Sequence, residues 1–457
     1  MTAGPAGASR AMVWQPPGWV LAAALICGSA LAAGVVGGAT RPLFIAGCGL
    51  VGLYAWRQGP AAHLICALLL FAFAPFVRRL VDLSAGFDPA GLMLTGPLLA
   101  LLVCVPQLLF GRRKPVFIPL MLPLIVVAGC VVYAALLSML QGDFANAASG
   151  TLKWLAPLLY AGAILEEADR DEMLDAAAST FAVILPIIGA YGIFQYVNPP
   201  DWDRYWMQYA SIMSAGEPIP YGVRTFSTLN GPASFATFTA LGLLIVWFAR
   251  SRWQYLLLTC PAGIGLLLSL YRTAWISLAV GVAFCLAFTA TRRLAVAILI
   301  GAVVLVVAAA TLTPFGDVIG ERLVTLGEGS QDGSAQERID EFVTLWNQWD
   351  SSVFGTGFTF TDVGTAGAMP IDGMIIACWL TMGIVVGLVC LGALVAAAMN
   401  MIITAWRDGN PHAIIIGALG CGALSQLPLA NLTSGESGFM FWTFAVLLVD
   451  RKSAVRT

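Results

Sequence analysis

Charge is scarce in this chain. Only 11% of the residues are Asp, Glu, Lys or Arg, against roughly 25% in a soluble globular domain. Hydrophobic residues make up 59% and the mean hydropathy is +0.86, which excludes a water-soluble domain and implies a polytopic membrane protein. The net charge of −2 gives no pointer to nucleic acid, and none is expected as a partner. Histidine is nearly absent, with His63 and His412 alone. The ten cysteines all fall inside apolar segments and never at a C-x-x-C spacing, so neither a zinc site nor a disulfide framework is implied. They read as small core hydrophobes. Internal repeats of 20–50 residues and low-complexity tracts are missing as well.

What the sequence has is apolar runs near the roughly 20 residues that cross a bilayer. They lie at about 18–38, 41–56, 61–80, 90–110, 116–139, 150–166, 173–196, 230–249, 254–271, 273–291, 294–313, 371–404, 411–430 and 438–450. The expected fold is therefore an all-α polytopic membrane protein of about 14 transmembrane helices in one domain over 1–457. The segment at 41–56 is short for a span and 371–404 is long. Arg10, the apolar run from Trp19 and Ala30-Leu-Ala32 resemble a signal peptide; the run is read as a retained first span.

Orientation follows from where the basic residues lie. With both termini cytoplasmic, 14 of the 23 basic residues fall inside, almost all in short loops. Two long polar stretches, 197–229 and 314–370, then face outward. The nine remaining basic residues are Arg41, Arg78, Arg79, Lys153, Arg204, Arg224, Arg272, Arg322 and Arg338. Arg78, Arg79, Lys153 and Arg272 stand at outer ends of spans, where an ionisable group is costly and often marks a substrate path. Interfacial snorkelling explains any one of them; the set predicts an anion site.

The stretch 314–370 is the longest polar interval. Within it Ser334-Ala-Gln-Glu337 reads as a capping box, opening an amphipathic helix over about 335–350. Phe342, Leu345, Trp346 and Trp349 share one face at helical spacing. Arg338 projects along that apolar stripe and needs a partner, either Glu341 or an anionic ligand.

Three more outward segments carry chemistry. Arg224 precedes Asn230-Gly-Pro232, a turn signal at the start of a span, and an arginine beside a helix N-terminus suits phosphate oxygens. Tyr271-Arg272-Thr-Ala-Trp275 is a tight outward break that puts Arg272 at the membrane boundary. Asp372-Gly373 stands at the mouth of a span, as an N-cap or as a functional acid. Asp201-Trp-Asp203 mimics a metal-binding D-x-D, but is better read as a turn ahead of an interfacial Trp202, Tyr205 and Trp206 cluster.

The order Arg224…Asn230, Tyr271-Arg272-Thr-Ala-Trp275, Arg322…Ser334…Arg338, Phe354-Gly355-Thr-Gly357 and Asp372-Gly373…Gly383…Gly387 resembles the O-antigen polymerase and ligase superfamily. The resemblance covers roughly 220–390 in detail. It implies a bacterial inner-membrane glycosyltransferase using undecaprenyl-diphosphate-linked glycans as donor and acceptor, with no cofactor and no metal. It also implies the lipid bilayer and a chain-length regulator as partners. Ligases of this superfamily are known for an essential histidine in the large outer loop. Neither histidine of this sequence lies in 314–370, which favours a polymerase.

The expected site follows. Arg224, Arg272 and Arg338 stabilise the diphosphate leaving group; Arg78, Arg79, Lys153, Asn230 and Tyr271 bind lipid diphosphate or glycan. Asp372 and Glu436, the outward acids nearest the membrane, are candidates for the general base. The competing readings are a ligase handing glycan to lipid A-core, a lipid-linked oligosaccharide flippase, and a scaffold.

Overall fold

Apolar runs here begin where a residue can satisfy or do without the first backbone N–H groups. Asp143, Asp169 and Asn410 accept from backbone N–H groups at helix starts, while Pro60, Pro232 and Pro411 supply a first residue with no N–H to satisfy. The structure, a computed structural model, describes residues 16–110, 118–165, 167–210, 213–312, 343, 353–360 and 373–448.

The helices are α1 (Gly18–Val36), α2 (Thr40–Gln58), α3 (Pro60–Ala85), α4 (Thr95–Leu102), α5 (Val105–Phe110), α6 (Ile118–Leu140), α7 (Phe144–Ile164), α8 (Arg170–Val197) and α9 (Asp201–Tyr209). They continue as α10 (Pro232–Arg250), α11 (Trp253–Leu258), α12 (Cys260–Leu268), α13 (Arg272–Cys285), α14 (Thr289–Leu312), α15 (Met374–Asp408), α16 (Pro411–Gln426) and α17 (Gly435–Ala445). The described residues form no strand beyond one antiparallel bridge between Gly216 and Val223. The protein is an all-α polytopic membrane protein. Among the described residues each of the fourteen apolar segments falls on helix, and eight stretches are long and apolar enough to cross a bilayer by themselves. One of the eight, Gly18–Gln58, holds two helices that reverse at Gly37 (φ 61°). Gln58 Oε1 accepts from the Gly18 backbone N–H at 2.8 Å, fixing α1 and α2 as an antiparallel pair.

The long segment at 371–404 has a physical resolution. A straight helix of 35 residues would measure about 52 Å, far beyond a hydrocarbon core of about 30 Å. Gly383 (φ 78°, ψ 177°) breaks it. A Cβ on Gly387 would stand 2.8 Å from the Cys378 carbonyl oxygen, although nine residues of straight helix span about 13 Å. Residues 374–382 therefore fold back as a re-entrant half-helix. Its broken backbone is satisfied by the segment before it: Ile384 N–H donates to Val353 O (3.1 Å) and Thr356 N–H to Leu380 O (2.8 Å). Gly383→Ala should lower the unfolding temperature in detergent, since a Cβ there meets the Val353 carbonyl oxygen and the backbone strain alone is about 1–3 kcal/mol. Wild-type stability in that variant would contradict the break.

The link into α8 is not free in solution: Asp169 caps the helix and the fully buried Arg170 reaches Asp408 Oδ2 at 2.7 Å. His412 Nδ1 pairs with Asp171 Oδ1 at 2.8 Å, which ties α16 to the same end. Residues 353–358 of the expected outer loop are not free in solution either: Phe358 is buried and its N–H donates to Ser138 of α6. The rest of the loop, with the helix expected over 335–350, lies outside the described residues save Val343, Thr359 and Phe360.

Candidate functional site

At the end of the bundle opposite Arg170 a chamber of about 400 Å³ opens. Its walls are the middle of α3, the turn into α4, α7 at Ser149, Leu152 and Lys153, the start of α10, Tyr271, and residues 430–437. Three helices, α10, α13 and α17, begin at this wall, and none has a side-chain cap at its N-terminus. Their leading N–H groups and aligned peptide dipoles give the chamber a positive bias.

Among the described residues two charged side chains line it, Lys153 from α7 and Glu436 from the first turn of α17. Both are half-buried. Neither makes an ion pair or hydrogen bond among the described residues. Two opposite charges that face one cavity without meeting suit an ionic ligand. Asn230 and Tyr271 also line the chamber. Arg78 stands just behind it: Nη1 donates to Asn230 Oδ1 at 3.5 Å, Nη2 to Asp88 O at 2.7 Å, and Nε pairs with Asp82 at 3.2 Å. Beside the chamber, sharing Thr237, Glu436 and Ser437, is an apolar alcove of about 50 Å³ with Leu241, Leu278, Met440 and Phe444 in its wall. A chamber of mixed polar and apolar lining beside an apolar alcove suits an amphiphile.

Lys153, Asn230, Tyr271 and Glu436 are thus brought together, with Arg78 adjacent. Arg79 is not part of the site, contrary to its expected role in binding substrate. It is buried, its Nε pairs with Asp203 Oδ1 at 2.8 Å, and Nη1 and Nη2 donate to the carbonyls of Leu229 and Ser227. A guanidinium so saturated holds the chain rather than a ligand. Arg224 and Arg272 are half-buried near the same end but do not line the chamber; the Arg224 backbone N–H donates to Ala215 O at 2.8 Å. Arg338 and Asp372 lie outside the described residues. Asp201-Trp-Asp203 opens a helix instead of forming a turn, and its acids diverge: Asp201 is exposed while Asp203 is sealed in the Arg79 pair. Among the described residues no group of three or more His, Cys, Asp or Glu could hold a metal.

Several lining residues were not anticipated. Ser234 and Thr237, at i and i+3 in the first turns of α10, follow Asn230, a short polar face readable in an apolar helix. Ser149 sits one turn before Lys153, and Asn431, Ser434 and Ser437 surround Glu436. The polar run from Asn431 to Ser437 between two apolar segments was the available signal. No protein-family model matches the chain, and no curated protein matches it. The fold and the site define a multi-pass helical membrane protein with a charged chamber at one end.

Proposed function

We propose that the protein is a membrane glycosyltransferase that polymerises undecaprenyl-diphosphate-linked oligosaccharide repeat units on the periplasmic face of the bacterial inner membrane, with both termini cytoplasmic. The observation that supports this best is the chamber in which Lys153 and Glu436 face a common space, next to an apolar alcove. In the reaction, an acceptor hydroxyl attacks the anomeric carbon of the donor and the bond from that carbon to the diphosphate oxygen breaks. Glu436 takes the hydroxyl proton, and the lipid diphosphate leaves with the bonding electron pair. Lys153, Asn230, Tyr271 and the three helix N-termini stabilise the charge on the leaving group. Arg78 orients Asn230. Arg224, Arg272 and Arg338 guide the anionic substrate towards the chamber, and Asp372 is the rival base. The reading is metal-independent, and a chain-length regulator is its protein partner.

The test is purified protein in vesicles with one labelled lipid-linked repeat unit. A ladder of longer lipid-linked glycans, insensitive to chelator, is the expected result. Transfer only after addition of lipid A-core would make the protein a ligase. A flippase or other transporter is the second reading, because broken helices such as the one at Gly383 line substrate sites in transporters. Movement of intact substrate between leaflets with no new glycosidic bond would put it first.

A further inference from the structure

The α7 wall of the chamber is held from behind by a piece of chain that the proposed reaction does not use. Residues 353–356 run non-helically, and Gly357–Phe360 form a short 3-10 turn, between α6, α7 and α15. Tyr133 O–H donates to Phe354 O at 2.8 Å, Thr356 N–H to Leu380 O at 2.8 Å, and Phe358 N–H to Ser138 Oγ at 2.6 Å. The Phe358 ring is fully buried and lies 6.3 Å from the Trp154 ring, centroid to centroid. It also lies directly on Gly150, where a Cβ would overlap the ring. Gly150 and Trp154 are one turn apart on one face of α7, and Ser149 and Lys153 are one turn apart on the neighbouring face, about 100° round.

α7 is weak at just this place. Pro157 lies inside it and has no N–H to give the Lys153 carbonyl, the partner it would meet in a regular helix, and a proline ring also crowds that carbonyl. Helices bend at such positions. The direction in which Lys153 is presented is therefore not fixed by helical hydrogen bonding alone; what is packed against Gly150 and Trp154 decides it.

We propose that Phe358 is a positioning residue, whose ring seated on Gly150 and Trp154 sets where α7 holds the Lys153 ammonium in the chamber. The proposal rests on Lys153 being the cation of the proposed site, but its test needs no turnover. The sequence has only three lysines, Lys114, Lys153 and Lys452, so labelling of Lys153 can be followed alone. The full-length protein in lipid vesicles is treated with a water-soluble amine-reactive ester over a series of pH values, and the Lys153 peptide is quantified by mass spectrometry. Phe358→Ala should change the labelling rate at least about fivefold, because labelling reports how often the amine is accessible, and should alter its pH profile. Phe358→Leu should restore both towards wild type, and Ser138→Ala should shift them less, in the same direction as Phe358→Ala. An unchanged rate and profile in Phe358→Ala overturns the proposal. Should that variant not survive purification, unchanged labelling in Ser138→Ala overturns it instead. Failure of the glycosyltransferase reading would show separately, as absence of any glycan ladder from wild-type protein whose Lys153 labelling still responds to Phe358.

Discussion

Asp203→Asn should destabilise the protein by about 3–5 kcal/mol, the usual cost of removing one partner from a buried ion pair. The Arg79 and Asp203 side chains are 1% and 0% exposed. Asp203 also accepts from Tyr191 O–H (2.7 Å) and Gln195 Nε2 (2.6 Å), while Gln195 Oε1 takes the backbone N–H groups of Phe226 and Ser227. The Arg79 guanidinium lies 4.9 Å from the Phe226 ring centroid. Neutralising Asp203 leaves that guanidinium charged among aromatics with only carbonyls to meet it. Arg79→Met should be damaging for the converse reason, and the double variant should lose much less than the sum of the two single losses. Thermal or denaturant unfolding of the three variants in one detergent decides it. Strictly additive losses would mean that the two side chains do not act as a pair. Because Arg79 grips the carbonyls of Ser227 and Leu229, immediately before Asn230, the same variants should also disturb the chamber.

Lys153→Met and Glu436→Gln should each reduce formation of the glycan ladder by roughly 10²-fold or more. That is the scale for loss of one preorganised electrostatic contact or of a general base. They should differ in kind. Lys153→Met removes stabilisation of the leaving diphosphate, so donors with a less basic leaving group should recover part of the rate. Glu436→Gln leaves that stabilisation intact, so donors with a less basic leaving group should not recover its rate. Folding controls are meaningful because neither side chain has a partner to lose among the described residues. Full activity in Glu436→Gln would transfer the role of base to another acid, with Asp372 the first to try. Full activity in Lys153→Met would remove the chamber from the mechanism.

The helices were readable because membrane spans are written in runs: among the described residues each of the fourteen segments falls on helix, although 90–110 and 254–271 are each broken into shorter pieces. Lys153, Asn230, Tyr271 and Glu436 were readable for a related reason: a polar group at the end of an apolar run is costly, and its position along the chain already says which end of the bundle it joins. Arg79 was misread because the same rule cannot distinguish an arginine facing a ligand from one facing a distant carboxylate. Its partner Asp203 lies in a different polar stretch, and no local spacing connects them. The excess length of 371–404 was visible, as was Gly383 within it. The fold-back was not, since it depends on Val353 and Leu380 meeting its open backbone groups. Phe358 looked like one more aromatic of a polar loop, because its seat on Gly150 is a contact between segments far apart in sequence.

The re-entrant half-helix also bears on how the protein is made. Chain synthesis delivers α6 and α7 first, residues 353–358 next and Met374–Asp408 last. The seat for the half-helix can therefore exist before the half-helix emerges. The insertion machinery, however, meets Met374–Asp408 as a single greasy run and has no cue to leave its first nine residues folded back. That cue comes from Val353 and Thr356, whose backbone groups complete the break. A chain with 353–358 replaced by a glycine-serine linker should thread residues 374–382 differently and become open to proteolysis at the chamber end, even though every hydrophobic segment is unchanged.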